Sequence, residues 1–227
     1  MGLETDEERL GAVLEALPTD DNGGVGRHVH YTRQKYETIY EITPETIEDD
    51  LNRVFAITVR QRAGSIGTTR LTAAQKQFDT DAFRAADTHD EAYELLTSID
   101  DVGRKIANEY LRKVVHAFEF RDSWVADLRV PLDIHVTSAL VDTKCIHESD
   151  GSRTDRTAVS KVFNPTSGSN PSTRIAIDDM QAAFKRVAET QGTDRIAFDE
   201  LWSEHKFYLS IPAFREESCV GEFLNTR

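Results

Sequence analysis

Apolar positions recur at helical spacing through most of the chain. Leu10, Val13, Leu14 and Leu17 share one face of a helix predicted over Thr5 to Leu17, and Pro18 stops it. Tyr31 to Tyr40 reads as a second helix. Thr43-Pro44 supplies a cap and a first-turn proline for a third, with Ile47, Leu51, Val54 and Phe55 on its apolar side. Leu71 to Ala86 predicts one or two short helices. Thr88 and Glu91 then suit a capping box, and Ala92, Leu95, Leu96 and Ile99 form the stripe of the helix that follows. Asp100-Asp101-Val102-Gly103 makes a tight turn, in which Gly103 is expected to adopt a backbone geometry that a side chain would resist. Beyond it Ile106, Ala107, Tyr110, Leu111, Val114 and Val115 share one helix face. Arg104, Lys105, Asn108, Arg112 and Lys113 spread over the remainder, as a basic solvated surface would.

Phe118 to Arg129 is an aromatic, charged connector. Pro131 forces an extended approach, and Asp133 is placed to cap a helix starting at Ile134, with Val136, Ala139 and Leu140 on its apolar side. Ile177 to Ala188 carries Met180, Phe184 and Val187. A last helix is predicted over Phe198 to Leu209, with Leu201, Trp202 and Phe207 or Tyr208 inward. Thr19 to Gly26 reads as a linker, Glu148 to Thr173 as a mobile loop, and the tail after Pro212 is weakly patterned. No strand stands out, so the expected fold class is all-α.

Composition narrows the setting. The chain has 227 residues, room for one large domain or two small ones. No apolar run approaches membrane length, and the acidic start MGLETDEERL has no signal-peptide pattern; the expectation is a cytoplasmic protein without a membrane partner. Cys145 and Cys219 are too few for a four-cysteine iron–sulfur or zinc site. The formal net charge of -13 argues against nucleic acid at first sight. Arginine outnumbers lysine, however, and the acids are scattered, as in a halophilic archaeon's acidic proteome. A DNA binder of that kind needs a local basic face, shape recognition or bridging cations, because salt weakens phosphate attraction.

The candidate chemistry is sparse. The turn would lift free N–H groups of Val102, Gly103 and Arg104 at the start of the second hairpin helix, a place suited to a DNA phosphate; an ordinary αα-hairpin with a basic face is the alternative. Gln61 and Arg62 end their helix beside Gly64 and form either a DNA-facing tip or a plain solvated terminus. His28 and His30 lack a further ligand nearby, and no cofactor is expected. Trp124, Trp202 and Phe207 are available to stack on an extruded base, with burial in the core as the competing role.

Ile99-Asp100-Asp101-Val102-Gly103-Arg104-Lys105-Ile106-Ala107-Asn108 resembles the hairpin of the helix-hairpin-helix DNA glycosylases of the endonuclease III type. Val130-Pro131-Leu132-Asp133-Ile134-His135-Val136 resembles that family's aspartate segment. The resemblance covers about Leu95 to Leu140. The distance from Lys105 to Asp133 is closer to the archaeal 8-oxoguanine glycosylase branch, which also lacks the cluster cysteines. Asp101 stands where the family usually has glycine, and a monovalent cation at the hairpin would offset its charge.

The resemblance implies a bifunctional DNA glycosylase/lyase of base excision repair acting on double-stranded DNA with a damaged base. Lys105 would be the Schiff-base nucleophile, Asp133 its partner, and Gln61 a residue inserted into the stack. It implies two helical lobes, residues 45–132 bearing the hairpin and residues 1–44 plus 133–227 forming the other, with the active-site cleft between them. Lys105 paired with Glu109 and Asp133 as a plain cap are the competing roles. A non-catalytic DNA-binding module or an adaptor subunit of a larger nucleic-acid machine is the competing function.

Overall fold

A computed structural model describes residues 2–18, 26–62, 68–149, 162–163 and 174–224. The linker before Gly26, Gly64 and nearly all of the predicted mobile loop lie outside the described residues. The protein is mostly helical, and no helix among those residues is long and apolar enough to cross a membrane. The chain divides into two compact units, Met1–His28 with Leu132–Arg227, and Val29–Pro131.

The first unit holds the only strands among the described residues. β1 (Leu3–Thr5) pairs antiparallel with β2 (Ile146–Glu148), Leu3 opposite Glu148 and Thr5 opposite Ile146. This corrects the expectation of no strands: segments of three residues are too short for an alternating pattern to register. Asp6 caps α1 (Glu7–Ala16) by accepting from the Arg9 amide, and Leu10, Val13 and Leu14 are buried. The Arg9 guanidinium donates to the carbonyls of Thr143 (2.9 Å) and Phe223 (2.7 Å), tying these two later segments of the unit to α1. α8 (Ile134–Asp142) starts at the expected cap. α9 (Ile177–Thr190) buries Met180, Ala183, Phe184 and Val187, with Phe184 stacked on Phe198 at 4.4 Å. The predicted last helix is three pieces: a 3₁₀ segment Arg195–Asp199, α10 (Glu200–Glu204) and a π-turn His205–Leu209.

Gly26 packs against Glu200 so closely that an added Cβ would lie 1.9 Å from Oε1. Its lack of a side chain lets the buried carboxylate accept the His28 amide through both oxygens, at 2.9 and 3.0 Å. Burial outweighs those favourable contacts and raises the Glu200 carboxyl above the usual carboxylate range.

The second unit comprises the remainder of α2 (Arg27–Tyr40), then α3 (Ile47–Arg62), α4 (Thr68–Gln77), α5 (Thr80–Ala85), α6 (His89–Thr97) and α7 (Arg104–Leu111), a π-turn Arg112–Ala117 and a 3₁₀ segment Asp122–Asp127. Residues 29–44 therefore group with the hairpin, not with the other unit as expected from sequence. The reason is packing: Tyr36 of α2 meets Phe118 edge-on at 5.6 Å, and Arg112 donates to Thr32. α3 starts three residues after Pro44, because Thr43 and Thr46 close a separate turn first.

Tyr110 centres the aromatic core, edge-on to Phe55 and Phe78 at 5.5 Å each, with its hydroxyl donating to the Leu51 carbonyl. Against the expected solvated face, Asn108, Arg112 and Lys113 are buried. Glu109 makes this tolerable. Its Oε1 lies 3.2 Å from both Arg112 Nη2 and Lys113 Nζ, and Lys113 also donates to Thr58 and Gln61 at 3.2 Å. The Lys113 ammonium stands 5.5 Å over the Tyr36 ring.

Two outcomes follow from these buried charges. Glu109→Gln is expected to cost about 3–5 kcal/mol in chemical denaturation, because two buried cations lose their counter-charge; a loss under ~1 kcal/mol would mean that they reach water instead. Glu200 titrates higher folded than unfolded, so its contribution is fully present below the ordinary carboxylate range and falls away as pH rises through the raised value. Glu200→Gln is expected to flatten that part of the stability–pH curve, measured as urea midpoints across a pH series.

Candidate functional site

Local hydrogen bonds set the hairpin. Thr88 caps α6 by accepting from the Glu91 amide at 3.2 Å, while the Glu91 carboxylate accepts from Asp87, one residue earlier than in the usual reciprocal box. Past Ser98 the turn is tied to the end of α4: the Asp100 amide donates to Gln77 Oε1 (3.1 Å), and Gln77 Nε2 donates back to the Asp100 carboxylate (3.2 Å).

The left-handed residue of this turn is Asp101, at φ 64°. Gly103 is extended at φ −85°, ψ 175°, and a Cβ there would meet nothing within 4 Å. The strained backbone expected at Gly103 thus sits two residues earlier, on a residue with a side chain. Val102 is buried, and its amide donates to the Ile99 carbonyl at 3.1 Å, so it is not one of the outward N–H groups. Gly103 caps α7 with no side-chain bond, and among the described residues its amide has no backbone acceptor. Arg104 and Lys105 follow on the first turn, both exposed. Lys105 is not the partner of Glu109, which faces inward to Arg112 and Lys113. Arg70 of α4, which sequence reasoning passed over, lies 3.5 Å from Asp101 Oδ1. It places a positive charge beside the carboxylate, as the expected monovalent cation would. No local pattern could announce a pair so far apart in the chain.

Gln61 is exposed on the last turn of α3, and its amide oxygen accepts from the buried Lys113 ammonium. The side chain of Arg62 lies outside the described residues. Trp124 is core, its indole donating to the Asp87 carbonyl at 3.3 Å.

Asp133 belongs to the other unit. It is buried, and Oδ1 accepts from the amides of His135 (2.8 Å) and Val136 (3.1 Å) at the start of α8. Oδ2 accepts from the Trp202 indole N–H at 3.1 Å. The Trp202 ring is stacked by His28 at 4.3 Å with planes 6° apart, and the Lys206 ammonium stands over it at 4.2 Å. Trp202 is therefore engaged rather than open to a base. Phe207 is partly exposed and meets Trp202 edge-on at 5.9 Å. His28 Nδ1 lies 2.8 Å from Asp199 Oδ2, and His135 Nδ1 lies 3.0 Å from His205 Nδ1. His30 is exposed. Among the described residues, no group of three or more His, Cys, Asp or Glu side chains could hold a metal ion.

The two sets offer different chemistry. One turn presents an amide and two exposed basic side chains, suited to an anion and, through the Lys105 amine, to an electrophilic carbon. The other fixes one carboxylate with three N–H donors, suited to stabilising nearby positive charge. Comparison of the chain with family models, with characterised proteins and with solved structures returns no match.

Proposed function

We propose that the protein is a bifunctional DNA glycosylase/lyase that removes a damaged base, oxidised bases such as 8-oxoguanine being the candidates that the resemblance suggests. The observation that carries the reading is the hairpin: an exposed lysine one residue inside α7, next to a capping glycine whose amide has no backbone acceptor among the described residues. Asp133, held at the start of α8, supports it as the second half of an ordered pair.

The proposed chemistry begins with a nucleotide turned out of the stack. The Lys105 amine attacks C1′, the glycosidic bond breaks, and the base leaves with its electron pair and takes up a proton. The attached nitrogen gives up a proton, the C1′–O4′ bond breaks as O4′ takes one up, and the sugar opens to a protonated Schiff base; loss of a C2′ proton then breaks the C3′–O bond and expels the 3′ phosphate by β-elimination. The Asp133 carboxylate stabilises positive charge on the sugar and assists proton movement. The second reading, a non-catalytic DNA-binding or adaptor subunit, draws its support from the acidic balance of the chain and from Asp101.

Borohydride trapping on damaged-base duplexes at high salt tests the first reading. Lys105→Ala is expected to abolish the covalent adduct, base release and strand cleavage while the fold survives, since the side chain is exposed; an adduct that persists assigns the nucleophile elsewhere. Asp133→Asn is expected to lower turnover by about 10²–10⁴-fold with DNA affinity nearly unchanged. Asn retains one cap oxygen. Equal losses of stability and activity would leave Asp133 a cap alone.

Asp101→Gly separates the hairpin's two charges. Glycine takes φ 64° without the steric penalty of about 1–2 kcal/mol that a side chain meets there. Arg70, released from the carboxylate, becomes free for a phosphate. The expected result is tighter DNA binding at low salt, with the log–log salt slope steeper by roughly 0.9, so that the advantage shrinks as salt rises. Parallel lines for mutant and wild type would turn Asp101 away from DNA and favour the adaptor reading.

A further inference from the structure

We infer that Trp202 is the positioning residue for Asp133: its indole N–H fixes the carboxylate through Oδ2, a role that rests on the glycosylase reading for its consequence but not for its geometry. Oδ1 alone satisfies the two amides of α8. A cap of that kind needs only one oxygen, and leaves the second to be displaced by any small rotation about Cβ–Cγ that keeps Oδ1 within reach of the amides. The 3.1 Å bond from Trp202 removes that freedom. It is charge-assisted and buried, with Asp133 4% and Trp202 8% exposed.

An anchor must itself be held. Trp202 lies on α10, whose first residue, Glu200, accepts the His28 amide. The His28 ring that follows from that bond stacks on the indole, and its Nδ1 is held by Asp199. Lys206, one turn beyond Trp202, stands over the same ring. His135, whose amide is one of the two that Oδ1 accepts, packs edge-on to the indole at 5.6 Å. The indole thus has neighbours over its ring and at its edge, and its one donor is aimed at the oxygen that the helix cap does not use. A ring serving only to fill the core needs no such partner for its N–H beyond a backbone carbonyl, as Trp124 has.

The test uses the intact chain. The two tryptophans give two indole resonances in ¹⁵N-labelled protein, and Trp202→Phe identifies its own by deletion. Asp133→Ser keeps an N-cap oxygen but is too short to offer a second one. It is expected to move the Trp202 indole resonance and speed its hydrogen exchange about tenfold or more, leaving that of Trp124 in place. In the trapping and turnover assays Trp202→Phe, which keeps a stacked ring, is expected to lower kcat about 10- to 100-fold with KM within roughly threefold, the signature of a misaimed group rather than a lost binding contact. An indole resonance unmoved by Asp133→Ser overturns the inference. So does wild-type kcat in Trp202→Phe, or a loss shared by kcat, KM and thermal stability alike. If the wild-type protein shows no glycosylase activity on any duplex, the functional reading fails separately. The resonance then decides alone whether Trp202 anchors Asp133.

Discussion

The carboxylate of Glu109 is the constraint around which the hairpin unit is arranged. Arg112 and Lys113 follow it on the next turn, and both charged ends would be intolerable in the core without it. Because they can go inward, α7 needs no polar side beyond its first turn. Its exposed basic character is concentrated in Arg104 and Lys105. Lys113 in turn passes a hydrogen bond to Gln61, so the last turn of α3 is fixed from beneath by the same buried group. The tip of one helix and the start of another are both referred to one negative charge.

The first unit solves a similar problem with different means. Glu204 takes the Arg27 guanidinium, but the buried acids Asp133, Asp199 and Glu200 are met by amides, an indole and an imidazole. Such donors do not neutralise the charge outright, and the raised Glu200 carboxyl records the remaining cost. The gain is direction: each donor has a fixed bearing set by helix or ring.

Where periodicity and local capping decide structure, the sequence was legible. The apolar stripes at Leu10 to Leu14, Leu51 to Phe55 and Met180 to Val187 are buried as their spacing implied, and Asp133 and Thr88 cap the helices they precede. What escaped depended on partners distant in the chain. Arg112 and Lys113 looked like part of a solvated face because polarity alone does not reveal that Thr32, Thr58 and Gln61 await them. Gly103 drew attention as the turn's glycine, yet the left-handed geometry fell on Asp101, beside Arg70. Of the candidate site, Lys105 and Asp133 could be named from sequence, but Trp202 as the donor to Asp133 could not, since a tryptophan on an apolar helix face carries no mark of where its N–H points. The short strands were below the length at which alternation means anything.

The two tryptophans fall one to each unit, Trp124 in the hairpin unit and Trp202 in the other. Their surroundings are unlike: Trp124 sits among Phe83, Phe120 and Arg121, while Trp202 lies against an imidazole and an ammonium. Ultraviolet emission from this chain is therefore a sum of two contributions, one from each unit. Replacing either indole leaves a protein whose remaining light reports on one unit alone, so whether the halves melt together or in turn is written into the chain's own optics.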